Sequence, residues 1–199
     1  MLEPRSPETI YLWGERLCLD YANTVDWSQE NKPVDPEQTD VLRTEDMLNG
    51  WGRRLALLGS GVQQASGAEL KRARALRDIV YRVFCSISRN QEPAEEDLDV
   101  LMSNYRETVE HASLVVGENF YKLDWPARDP RRVRYAVATD AVALLRDPDR
   151  LKRVSRCPGR NCGWLFLNTS GRRRWCSMST CGSRDKMRRL HQRRMQHAD

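Results

Sequence analysis

At 199 residues and 40% hydrophobic side chains, the chain can hold one ordinary domain plus a small module, and no apolar run approaches the length of a membrane span. The net charge of +5 hides a split: residues 151–199 carry 13 Lys/Arg against 2 Asp/Glu, and the first 150 carry 20 against 26. A mildly acidic body with a basic tail is the pattern of a polyanion-binding tail, and assigns any nucleic-acid partner to the tail rather than the body.

Residues 1–16 are polar and proline-containing, and Met1-Leu2-Glu3-Pro4-Arg5 shows no charged region leading into an apolar run. With no export signal, the thiols are expected to stay reduced in the cytoplasm. Leu17, Cys18, Tyr21 and Val25 recur at helical spacing, which puts Asp20 and Asn23 on roughly one side of a short helix. Residues 26–38, with Trp27, Pro33 and Pro36 among charges, read as a loop with room to move. Thr44 is placed to cap a helix whose apolar face is Met47, Leu48, Trp51, Leu55 and Leu58, with Gly59 as its stop.

Residues 60–67 are a polar linker, and a longer helix is expected from Glu69 to Arg89, carrying Leu70, Ala73, Leu76, Val80, Val83, Phe84 and Ile87. Beyond Pro93, Leu98, Leu101, Met102, Tyr105 and Val109 form another helical stripe. The period then switches to two around Gly117-Glu118-Asn119, the pattern of a β-hairpin. Asp129-Pro130 opens a further helix with Val133, Val137, Ala141, Leu144 and Leu145 inward, and Asp147-Pro148-Asp149 breaks it. Cys18 and Cys85 stand alone in apolar surroundings and read as core residues.

The tail contains Cys157-Pro158-Gly159-Arg160-Asn161-Cys162 and Cys176-Ser177-Met178-Ser179-Thr180-Cys181. Disulfides or plain burial are the alternatives, but paired reduced thiols in a small basic segment fit one structural zinc held by Cys157, Cys162, Cys176 and Cys181. Between the pairs, Trp164–Leu167 reads as a strand and Arg172–Trp175 as its return, with Met187 and Leu190 of a helix from about Gly182 to His197 facing that hairpin. Knuckle, hairpin and helix in that order are the layout of a treble-clef zinc finger. The expected class is α+β, mainly α: a helical domain over 1–150 with one hairpin, then the finger over 151–199. So small a unit needs its metal to fold, which contributes on the order of 10 kcal/mol.

Arg184, Lys186, Arg188, Arg189, Arg193 and Arg194 make the helix strongly positive, with Asp185 placed to pair with Arg189, and Arg172, Arg173 and Arg174 add a second basic edge. Guanidinium groups suit phosphates and guanine edges, and a helix of this length fits the major groove. A solvated basic helix, or one docked on the acidic body, is the alternative.

These residues resemble a known family. Cys162-Gly163-Trp164-Leu165-Phe166, Ser170-Gly171-Arg172-Arg173-Arg174-Trp175-Cys176-Ser177-Met178 and Cys181-Gly182-Ser183-Arg184-Asp185-Lys186 look like the CGNR zinc finger. Leu17-Cys18-Leu19-Asp20-Tyr21-Ala22-Asn23-Thr24 resembles the opening of the ABATE domain that precedes it in that family. The resemblance implies a bacterial stress-responsive transcription regulator with a ligand-sensing domain and a DNA-binding finger. Ser183 replaces the asparagine of the family's name, and Asn168 an aspartate; Ser183 still offers a small polar group to cap the helix.

An input site would be built in the body from Asp20, Asn23 and Trp51, polar groups beside an aromatic wall; the same three would equally serve as caps and core. No enzyme is expected, with no catalytic residues assigned. His111, His191 and His197 are the only histidines, no phosphate-cradling loop or serine elbow appears, and a four-thiolate zinc has no open position for water. The competing reading is an RNA binder or a protein adaptor. RNA readers usually display stacking aromatics, and here Trp164, Phe166 and Trp175 read as finger core. A palindrome reader would act as a homodimer, although no heptad seam marks the contact.

Overall fold

The computed structural model describes residues 5–28, 30–59, 61–159 and 162–196. In chain order it forms α1 (Leu17–Ala22), α2 (Pro36–Thr39), α3 (Glu45–Arg54), α4 (Gly67–Ser88), α5 (Glu95–Glu110), the strands β1 (Ser113–Val116) and β2 (Tyr121–Asp124), and α6 (Arg132–Leu145). There follow α7 (Pro148–Leu151), β3 (Val154–Arg156), β4 (Leu165–Leu167), a π-helical turn over Met178–Gly182, and α8 (Ser183–Gln196). The fold is α+β and mainly helical, with two separate antiparallel pairs, β1–β2 and β3–β4.

The caps follow local chemistry. The Thr44 hydroxyl accepts from Met47 N–H at 3.3 Å and the Ser66 hydroxyl from Glu69 N–H at 3.2 Å, which starts α3 and α4. Helix α4 buries Leu70, Ala73, Leu76, Val80, Val83 and Phe84 against α1, α5 and α6, so it is the axis of the body. Arg134 of α6, only 1% exposed, reaches Glu69 of α4 and Glu107 of α5, each at 2.8 Å. Two carboxylates and the Asn104 side chain satisfy one buried guanidinium, and removing either acid would leave a charge stranded in the core. Arg134 holds the Glu107 carboxyl down at about 2.

Several elements depart from the sequence reading. Helix α3 ends at Arg54, before Gly59, because Ala56 takes a left-handed conformation (φ 55°) and Leu57 and Leu58 N–H fold back onto Gly52 O. A Cβ on Gly52 would lie 2.5 Å from Val133, so the glycine is what lets α3 and α6 touch. Helix α6 begins two residues after Pro130, since Asp129 first makes a turn by accepting from Arg131 N–H. Asp147 does not merely break the chain; it caps α7 by accepting from Arg150 N–H.

Within the loop of residues 26–38, Trp27 is pinned to the body. Trp27 is buried, its indole donates to Ala22 O at 2.9 Å, its ring stacks on Tyr81 at 3.8 Å, and Trp27 bridges Pro33. Arg172–Trp175 does not return as a strand. Trp164–Leu167 pairs instead with the upstream strand β3, in the register Val154↔Leu167, Ser155↔Phe166 and Arg156↔Leu165. The first cysteine pair therefore sits in the loop of that hairpin, closed by Cys157 N–H donating to Trp164 O at 2.8 Å. The finger also has no core of its own: Val154, Trp164, Leu165, Phe166 and Leu167 belong to one buried cluster with α1 and α4.

Candidate metal centre and nucleic-acid interface

The hairpin loop brings Cys157 and Cys162 up to Cys176 and to Cys181, which lies in the π-helical turn. All four sulfurs lie within 4.8 Å of one another, with Cys162–Cys176 and Cys176–Cys181 each at 3.6 Å, and all four residues are buried. A tetrahedron with Zn–S bonds of about 2.3 Å has its sulfurs about 3.8 Å apart. The cluster has that size, so the four cysteines fit one structural zinc with every position taken by sulfur. A Cβ on Gly159 would lie 3.0 Å from Cys181 Sγ and 3.4 Å from Cys157 Sγ, which explains the glycine inside the knuckle. Arg160 and Asn161 of that knuckle, and the expected helix end at His197, fall outside the described residues.

The body holds this centre from several sides. Trp27 N–H donates to Cys162 O at 3.0 Å, and the Tyr81 hydroxyl to Gly163 O at 3.1 Å. Asn23, fully buried at the end of α1, accepts from Leu165 N–H and donates to Leu165 O, both at 2.8 Å. Its amide thus serves as a strand partner for β4. Trp164 Nε1 donates to Asp26 at 2.7 Å, and Arg5 grips the same carboxylate while lying over the Trp164 ring.

The nine basic residues singled out in the sequence do not behave alike. Arg173 is drawn inward: it donates to Trp13 O at 2.8 Å and Cys176 O at 2.6 Å, pairs with Glu15, and lies 4.3 Å over the Phe166 ring. It is a clamp between body and finger. The other eight, Arg172, Arg174, Arg184, Lys186, Arg188, Arg189, Arg193 and Arg194, are exposed. Asp185, buried at the root of α8, pairs with Arg189 at 2.8 Å and also with Arg188. Ser183 does not accept as a cap; its hydroxyl donates to Met178 O at 2.9 Å and holds the π-helical turn to α8. Met187 and Leu190 do not face the hairpin but point to solvent.

Asp20, Asn23 and Trp51 are each committed to a different internal partner. Asp20 accepts from Gly14 N–H at 2.7 Å, and burial pushes its carboxyl up to about 7 in spite of that bond. Asn23 holds β4 as described. Trp51 meets Tyr21 edge-on at 5.0 Å, and its indole N–H has no acceptor among the described residues. A cleft that sequence reasoning missed, of about 180 Å³, opens at the junction of body and finger beside the metal centre: Tyr11, Trp13, Trp164 and Thr180 line it together with three of the four clustered cysteines, Cys162, Cys176 and Cys181. The Thr180 hydroxyl oxygen is buried there without a partner among the described residues. Residues 9–13 and 180–184 are brought together only by folding, so no local pattern could have signalled it.

Residues 15–148 match the ABATE family, described as a "putative stress-induced transcription regulator". The chain belongs to the ABATE family. Residues 153–194 of this ABATE protein match the CGNR zinc finger, the segment that contains all four clustered cysteines. Both are regulatory or zinc-finger families rather than enzymatic ones. No curated relative matches the chain. Among the described residues no helix is long and apolar enough to cross a membrane.

Proposed function

We propose that this ABATE protein is a cytoplasmic, stress-responsive transcription regulator in which residues 151–199 bind duplex DNA through α8 and residues 1–150 sense a small ligand. The observation that carries the DNA reading is the state of α8: six exposed cations between Arg184 and Arg194, one acid at its buried root, and a zinc-sized sulfur cluster that includes Cys181 of the turn leading into it. Charge at that density on an exposed helix suits a phosphate backbone. The ligand reading is supported by the aromatic walls of the junction cleft, which adjoins the cysteine cluster, and by two buried polar groups without a partner among the described residues, the Thr180 hydroxyl at the cleft and the Trp51 indole N–H inside the body. The shared core gives a route from one to the other, because Trp27, Asn23 and Arg173 tie the body directly to the finger.

Titration of zinc-loaded protein against fluorescent duplex DNA at several salt concentrations tests the DNA reading. If six cations reach phosphates, log affinity falls against log salt with a slope of about −5. The same titration counts one or two copies per site, which decides the homodimer. A flat salt response, or retention of RNA with no duplex binding, sinks the DNA reading; RNA retention favours the RNA-binding alternative.

A further inference from the structure

Helix α8 carries an apolar face that the fold leaves uncovered. Met187 is 64% exposed and Leu190 42%, and Met178 in the preceding turn is exposed as well. With Trp175 they floor a groove of about 380 Å³, rimmed by cations that include Lys186 and Arg193. The sequence pattern has Met187 and Leu190 facing the hairpin, but the buried side chain of α8 is Asp185, and Met187 and Leu190 are exposed. Such a face suits a partner that is apolar at its centre and anionic at its edges. A second copy of the same face fails the second condition, since each helix brings six cations against one aspartate. Duplex DNA meets both: phosphates line the groove edges, and the thymine C5-methyl is the apolar group displayed on the major-groove floor.

We propose that Met187 and Leu190 read thymine methyl groups, so that this protein selects duplexes with thymine at neighbouring positions. The proposal rests on the duplex-DNA reading above. Three residues of helix advance about 4.5 Å along the axis, and one base-pair step about 3.4 Å, so the two side chains fall on adjacent steps. The cations around them supply sequence-independent attraction, and the methyl contacts supply discrimination.

The test starts from a site enriched by the full-length, zinc-loaded protein from a random-sequence duplex pool. That duplex is then synthesised with deoxyuridine in place of thymidine, which removes the methyl groups and leaves every phosphate in place. The wild type is expected to lose about fourfold in affinity for each contacted methyl. The variant Met187→Ala/Leu190→Ala, altered only at exposed positions, is expected to bind both duplexes equally. Equal binding of the two duplexes by the wild type overturns the inference while leaving DNA binding intact. Undiminished discrimination in the double variant overturns it too, because the methyls are then read elsewhere, as does an enriched site without constant thymines. Failure to enrich any duplex removes the DNA reading itself, and this inference with it.

Discussion

Replacing Asn23 with alanine is expected to destabilise both the body and the finger. Asn23 is wholly buried, and its amide makes two hydrogen bonds of 2.8 Å to the backbone of Leu165, itself wholly buried in β4. Alanine removes donor and acceptor together and strands a buried N–H and a buried C=O, which no water reaches. Each stranded group costs about 1–3 kcal/mol, so the loss should fall at about 2–6 kcal/mol, a large share of the ~5–15 kcal/mol that holds an ordinary domain. Asn23→Asp should be no better: it keeps an acceptor for Leu165 N–H but sets a carboxylate oxygen against Leu165 O. The measurement is urea unfolding at fixed excess zinc, followed by far-ultraviolet circular dichroism and by tryptophan fluorescence. Because Trp27, Trp51 and Trp164 lie in one core cluster, both signals should shift together. A loss below about 0.5 kcal/mol, or a shift in one signal alone, would refute the claim that this amide joins the two halves.

Asp20 gives a pH signature. Burial raises its carboxyl from an ordinary 3.8 to about 7, against the Gly14 N–H bond and with Asp140 and Glu15 adding repulsion. The folded state therefore binds this proton more tightly than the unfolded one, so its stabilising contribution is full below about 3.9 and lost as pH rises through about 7. Asp20→Asn should flatten the fall in stability between about pH 4 and 7 and leave the variant more stable at pH 8, by at most about 4 kcal/mol. An unchanged slope would show that the buried carboxyl is not the titrating group. Zinc chelation should release α8 while β3–β4 stays docked, because Asn23, Tyr81 and Trp27 hold that hairpin and its cysteine loop to the body without metal. Hydrogen exchange should then rise over residues 176–196 and stay low at 165–167; equal loss in both would contradict the shared core. Gly163→Ala should cost about 1–3 kcal/mol or more, since Gly163 has φ +62° and an added Cβ would lie 2.7 Å from Trp27 O. Faster exchange of the Trp27 amide would report it, and a neutral substitution would argue against that contact.

Much of the fold was legible in the chain itself because its determinants are local. The apolar spacing of α4, the hydroxyl cap at Thr44, the switch to period two in β1–β2 and the paired cysteines each act over a few residues. The charge split placed the basic surface on the tail without any coordinates. What the chain could not show is which surfaces meet. A strand has no intrinsic partner, so Trp164–Leu167 could not announce that it pairs with Val154–Arg156 rather than with the arginine triplet. One arginine in that triplet, Arg173, read in the sequence as a nucleic-acid contact, is held as a clamp because Glu15, Trp13 O, Cys176 O and Phe166 surround it only after folding. Asn23 and Trp27 became ties between body and finger for the same reason. Hydrophobic period and ligand spacing are properties of neighbours along the chain, whereas the single core, the junction cleft and the outward face of α8 depend on contacts across more than a hundred residues, where burial alone decides which side chains remain free.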